Sequence, residues 1–202
     1  MNHKVLFTKA VAMLSMMGLA ATPGLSRAAG VDFYAGADLV QMTTDVDPDG
    51  LVDALTFRTQ HLRLKGGVNV TKWLAVEAQL LSGADDTATE DFGSGKYGTG
   101  TTLGLFAKPH VTFRRVDLYG LLGYARAEAT IDCVLSCPPV FEATLDGLAY
   151  GFGVQFLVTK KLKISLDYTA YHDGSATFND GTITATPDVW TTGFGLGVNY
   201  RF

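Results

Sequence analysis

The chain has 202 residues, of which 47% are apolar types, 16 are basic and 20 are acidic. That length suits one domain. The acidic balance speaks against a nucleic-acid partner, which would want a basic patch.

Residues 1–28 read as a secretory signal peptide. Lys4 and Lys9 precede an apolar run from Ala10 to Ala21, Pro23-Gly24 breaks it, and Ser26-Arg27-Ala28 places small residues where a signal peptidase reads. The run is shorter than the ~20 residues of a spanning helix. Losing Lys4, Lys9 and Arg27 takes the net charge from −4 to −7. No cysteine follows the cleavage point, so a lipoprotein anchor is not expected. Residues 29–202 are expected to form a single domain without an appended peptidoglycan-binding module.

Eight segments of period-two alternation follow, at roughly 32–44, 55–69, 73–83, 101–113, 116–128, 145–158, 162–172 and 189–202. In the second, Leu62, Leu64, Val68 and Val70 share one parity, while His61, Arg63, Lys65 and Asn69 share the other. The third sets Leu74, Val76, Ala78 and Leu80 against Glu77 and Gln79. The sixth sets Leu148, Tyr150, Phe152, Val154 and Phe156 against Ala149, Gly151, Gly153 and Gln155. The seventh sets Leu162, Ile164, Leu166 and Tyr168 against Lys163, Ser165 and Asp167. Such alternation gives a strand two unlike faces.

Connections alternate in length. Tight turns near 69–72, 113–115 and 159–161 hold Lys72, Arg114, Arg115, Lys160 and Lys161. Long, Gly-, Asp- and Thr-rich loops at 45–54, 84–100, 129–144 and 173–188 hold most of the acids, including Asp85, Asp86, Glu90, Asp91, Asp132, Glu142, Asp173 and Asp180. The expected fold is all-β: a closed eight-stranded antiparallel up-and-down transmembrane β-barrel. Its rival is a soluble barrel of the lipocalin kind, with the apolar face inward. The alternating loop lengths, the aromatic end of the last strand and an aromatic girdle favour the membrane form. Trp73, Tyr119, Tyr168, Tyr171, Trp190 and Tyr200 are the expected girdle residues.

Segments such as Ala107-Lys-Pro109-His-Val, Asp117-Leu-Tyr119-Gly-Leu-Leu-Gly123-Tyr, Tyr150-Gly-Phe-Gly153-Val-Gln-Phe and Leu166-Asp-Tyr168 carry a family resemblance. The chain resembles the small outer-membrane β-barrel family that includes the OmpA transmembrane domain, OmpX and the opacity-type surface proteins. The likeness covers the whole mature chain and is one of pattern rather than of a catalytic motif, so it bears on fold and location more than on role. It implies a monomer in the outer membrane of a Gram-negative bacterium, in contact with membrane lipid and lipopolysaccharide. Phe194, Leu196, Val198, Tyr200 and Phe202, apolar at every second position, resemble the signal such barrels present to the barrel assembly machinery.

The lumen of so small a barrel is just wide enough for side chains. His61, Arg63, Lys65, Glu77, Gln79, Lys108, His110, Lys163 and Asp167 are expected to point into it as a plug of ion pairs, with Asp38 offsetting the basic excess. Asp45-Val-Asp47-Pro-Asp49-Gly50-Leu-Val-Asp53 opens like a D-x-D-x-D-G calcium loop, although Thr56 stands where the bidentate acid belongs. Ca²⁺ is thus the one cofactor considered, with Asp45, Asp47, Asp49 and Asp53 as ligands, against an ordinary acidic turn. Cys133 and Cys137, in an exported chain, are expected to form a loop disulfide worth roughly 2 kcal/mol. His172 and Ser175 are the one pair a lipid A-modifying enzyme would use, and their spacing puts them on opposite faces of a strand. The expected role is non-enzymatic: structural, or a surface interaction in which the loops meet a host, phage or lipopolysaccharide ligand. A narrow channel for small solutes or ions is the alternative, and a lipid A-modifying enzyme the third reading.

Overall fold

A computed structural model describes residues 32–47, 55–83, 86–90, 93–133, 141–175, 178–179, 184–185 and 188–202. Among these, the strands are β1 (Asp32–Asp47), β2 (Leu55–Asn69), β3 (Leu74–Gly83), β4 (Asp86–Glu90), β5 (Gly93–Phe113), β6 (Val116–Cys133), β7 (Phe141–Leu157), β8 (Leu162–Ser175), β9 (Phe178–Asn179), β10 (Thr184–Ala185) and β11 (Asp188–Arg201). Eight of them form a ring in the order β1, β2, β3, β5, β6, β7, β8, β11, and β11 pairs back onto β1. Every neighbouring pair is antiparallel. Closure leaves the eight-stranded ring itself no unpaired edge, the condition that lipid imposes on a sheet.

One end of the ring carries the tight connections. The β2–β3 and β7–β8 turns are each braced by a threonine: Trp73 N–H donates to Thr71 Oγ1 at 3.2 Å, and Leu162 N–H to Thr159 Oγ1 at 3.0 Å. Between β5 and β6 the chain reverses at Arg114 and Arg115, with Arg114 at φ 55°, in the left-handed region. At the other end the strands outrun the expected segments. The irregular loop anticipated over 84–100 is corrected: β4 and β5 form a hairpin from Asp86↔Tyr97 to Glu90↔Gly93. β5 also continues to pair with β6 as far as Gly95↔Cys133. Main-chain pairing needs no apolar face, so a Gly- and Thr-rich stretch can extend a ladder that composition alone reads as loop.

The two faces differ sharply. Leu39, Phe152, Leu148 and Leu196 point outward and are 73%, 68%, 63% and 55% exposed. On β11 the outward residues run from Trp190 to Tyr200, ten residues apart. At ~3.3 Å per residue and a ~40° tilt that spans about 25 Å, the height of a lipid-facing band. Trp73, Tyr168, Trp190 and Tyr200 stand on this wall. Tyr119 and Tyr171 do not: the girdle assignment is corrected for both, since they are buried in the lumen at 5% and 1% exposure. Tyr171 lies where β8 gains one residue against β11, because Thr191 pairs with His172 while Thr192 pairs with Ala170. Such a bulge lets two successive side chains leave on one face. His172, at 6% exposure, follows Tyr171 inward.

Candidate functional site

The lumen is the site built by all eight ring strands. At its centre Arg63, fully buried on β2, reaches two other strands, β1 and β8. Its Nε donates to Asp38 Oδ2 at 2.6 Å, one terminal nitrogen donates to both Asp167 oxygens at 2.6 and 2.8 Å, and the other to the Tyr171 hydroxyl at 2.9 Å. Asp38 is the register partner of Arg63 on β1, whereas Asp167 approaches from β8 across the lumen. Lys65 lies 2.9 Å from Asp38 and donates to Ser165 Oγ at 3.0 Å.

A second group is joined to the first. Lys108 Nζ meets Glu77 Oε2 at 2.6 Å, and the Tyr34 hydroxyl donates to the same oxygen at 2.6 Å. Gln79 donates to Glu77 at 2.8 Å and accepts from Tyr171 at 3.1 Å, which links the groups. Tyr119 bridges as well: its hydroxyl donates to Asp167 at 2.9 Å and its ring lies 4.2 Å below the Lys108 ammonium. The charges balance, with Arg63, Lys65 and Lys108 against Asp38, Asp167 and Glu77. Lone charges in so dry a place would be costly, and each here has a partner within hydrogen-bond reach.

Closing-strand glycines make room for this cluster. A Cβ at Gly195 would stand 2.6 Å from Arg63 and 2.8 Å from Asp167, and one at Gly197 would collide with Asp38. Toward the long loops β1, β3, β5 and β6 change character within one inward step, while β2 stays polar at His61 and Thr59. Asp38 gives way to Val40 and Met42, Gln79 to Leu81, Lys108 to Phe106, and Tyr119 to Leu121, all buried. These residues form an apolar collar with Ala125, Ala149 and Tyr171. Level with the collar, where His61 pairs with Val40 and Thr59 with Met42, Thr59 Oγ1 and His61 Nε2 lie 2.7 Å apart, and farther along β1 Thr44 meets Thr191 at 3.3 Å. His61 Nδ1 and both ring nitrogens of His172 are buried there without a hydrogen-bond partner.

Toward the tight turns, Lys163 Nζ bonds Asp117 Oδ2 at 2.8 Å and His110 Nδ1 lies 3.3 Å from Asp117 Oδ1. The nine residues expected in the lumen, from His61 to Asp167, all have inward side chains. Sequence reasoning missed Asp117, Tyr119, Tyr171 and Tyr34. On β6 the residues Leu118, Tyr119, Leu121, Leu122 and Tyr124 place apolar and aromatic types on both parities, so that strand offers no clear face. Register from its neighbours would have been the signal.

The remaining candidates are scattered. Asp45 is an exposed strand residue whose Oδ1 accepts from Thr56 Oγ1 at 2.6 Å. Asp47 ends β1, while Asp49 and Asp53 lie outside the described residues. Among the described residues no group of three or more His, Cys, Asp or Glu could hold a metal ion. Cys133 is the last residue of β6; Cys137, and with it the disulfide, lies outside the described residues. His172 is buried, whereas Ser175 is exposed and donates to Asp188 at 3.0 Å. Residues 1–28, where a signal peptide is expected, lie outside the described residues too. Phe194, Leu196, Val198 and Tyr200 share the outward face of β11, and Phe202 N–H donates to the Phe33 carbonyl at 3.1 Å.

A closed eight-stranded sheet with an apolar outer band and a charged, filled interior defines a transmembrane β-barrel. The chain belongs to the outer membrane protein beta-barrel domain family, which it matches over residues 10–202. It is similar to Ail, the attachment invasion locus protein of Yersinia pestis, at 20% identity over 84% of this chain and 98% of that one, with a TM-score of 0.54. Neisserial surface protein A is similar at 17% identity over 84% of this chain and 97% of that chain, TM-score 0.56. So is OprG of Pseudomonas aeruginosa, at 13% identity, 85% and 95% coverage and TM-score 0.56. No curated protein matches the chain at a significant level.

Proposed function

We propose that this outer-membrane protein is an anchored surface-interaction protein, which works through its long-loop end while its barrel acts as a closed support. The observation that carries the reading is the lumen: a neutral, fully paired ion network backed by an apolar collar. Passing a hydrated solute would mean breaking several buried ion pairs at once, each costly to separate in a low dielectric. The long-loop end, by contrast, extends as paired strands past the expected segments, the β4–β5 hairpin among them.

Charge narrows the partner. The segments at this end carry Asp45, Asp47, Asp49 and Asp53, then Asp85, Asp86, Glu90 and Asp91, then Asp132, Glu142 and Asp180. Ail has been solved with the heparin analogue sucrose octasulfate. A polysulfate of that kind would be repelled by these acids, so the surface that suits this chain is cationic, or is bridged by Ca²⁺ or Mg²⁺ to lipopolysaccharide phosphates. The test compares cells displaying the intact chain with cells in which residues 86–97 are replaced by a short glycine turn. Adhesion to cationic and lipopolysaccharide-coated surfaces is measured with and without chelator. A several-fold fall for the shortened chain supports the reading; equal adhesion contradicts it.

A further inference from the structure

At the tight-turn end the lumen opens into a partly enclosed pocket of about 30 Å³. Asn199 reaches into it from β11. Its side chain is seated where Gly36 leaves space, since a Cβ at Gly36 would collide with Asn199 Oδ1. Asn199 is only 3% exposed, yet neither its Nδ2 nor its Oδ1 has a hydrogen-bond partner, and His110 Nε2, on the same pocket, has none either. Buried amides without partners are rare because the desolvation cost is not returned.

The pocket wall sets Lys108, Lys161, Lys163 and Arg201 against one carboxylate, Asp117. Lys108 and Lys163 are each already paired, with Glu77 and Asp117. Lys161 and Arg201 are both exposed. Arg201 N–H donates to the Lys161 carbonyl at 2.8 Å, which holds the two residues side by side. Arg201 keeps only a 3.9 Å approach to exposed Asp32, so its guanidinium fork is open to a better acceptor. The rim adds Lys72, Arg114, Arg115 and Lys160, all exposed.

We propose that this mouth is an oxyanion site that takes one phosphoryl group, with Asn199 Nδ2 as the buried donor and Lys161 and Arg201 as the charged clamp. Several donors converging from different directions suit a ligand with several acceptor oxygens better than a halide. The pocket's size admits the phosphoryl oxygens and leaves the rest of the molecule outside. Outer-membrane barrels set their short turns toward the periplasm and their long loops outside, so two sources share that chemistry: free phosphate in the periplasm, and the headgroup of an inner-leaflet phospholipid at the level of the turns.

The mature protein, refolded in maltoside micelles free of phospholipid, is followed by its Asn199 side-chain amide resonance in NMR spectra. Sodium phosphate is titrated at constant ionic strength in one arm and dihexanoyl phosphatidylglycerol in the other. A saturable shift, weakened at least tenfold in K161Q/R201Q, is expected, and those exposed positions leave the lumen network untouched. Saturation in both arms assigns free phosphate as sufficient; saturation with the lipid alone assigns the headgroup. An Asn199 signal that moves in neither arm, or drifts linearly and equally in the double variant, overturns the proposal.

Discussion

On the outer wall Leu39, Phe152 and Leu196 stand largely exposed and answer to one requirement, that they be apolar. One residue away from Leu39, on the inner face, Asp38 is fully buried and shared between Arg63 and Lys65 at 2.5 and 2.9 Å. The wall is therefore specified by residue type and the lumen by particular partners. A substitution on the wall changes how a side chain meets hydrocarbon; the same change in the lumen strands somebody else's charge.

The sharpest way to break this contrast is at Arg63. Arg63→Met leaves Asp38 and Asp167 facing each other without their shared cation, and a loss of about 3–5 kcal/mol is expected. Urea unfolding of the refolded protein in lipid vesicles, read by tryptophan fluorescence, measures it. Adding Asp167→Asn alone to Arg63→Met should recover most of the loss, because Lys65 still pairs with Asp38 and Lys108 with Glu77, so no lone charge remains. Next in size is Leu196→Arg, midway between Trp190 and Tyr200 on the wall, at about 2–4 kcal/mol by the same titration. Leu196→Ile should stay within about 0.5 kcal/mol of the parent.

Glycines sharpen the comparison further. Gly195→Ala pushes a methyl onto Arg63 and Asp167 and should cost about 1–3 kcal/mol. Gly66, on the wall, has nothing within 4 Å of an added Cβ, so Gly66→Ala should be neutral to within about 0.5 kcal/mol. The one expected gain lies outside both regions, at the β5–β6 turn. Arg114 holds φ 55°, and Arg114→Gly should gain up to about 1 kcal/mol by relieving that conformation.

The same contrast explains what could be read from the sequence. β2 was legible because His61, Arg63 and Lys65 alternate with Leu62 and Leu64, so wall and lumen differ in polarity there. β6 was not, because it passes the apolar collar: Leu121 and Ala125 face inward while Leu118, Leu122 and Tyr124 face outward. Where both environments are apolar, hydrophobicity carries no parity. The inward turn of His172 beside Tyr171 had no signal at all, since one extra residue at Tyr171 changes every later parity on β8 and a bulge leaves no compositional mark. The plug's membership was half visible. Cross-strand neighbours such as Asp38 and Arg63 follow from register, but Arg63 to Asp167 and Tyr171 to Gln79 are contacts across the lumen, and alternation contains no distance.

Single-channel recording across a planar bilayer tests the plugged lumen most directly. Reconstituted wild-type protein should give a flat trace at both polarities, because the ion network and collar leave hydrated ions no route. Steady, ohmic steps from wild-type protein would contradict the closed support on which the surface role rests.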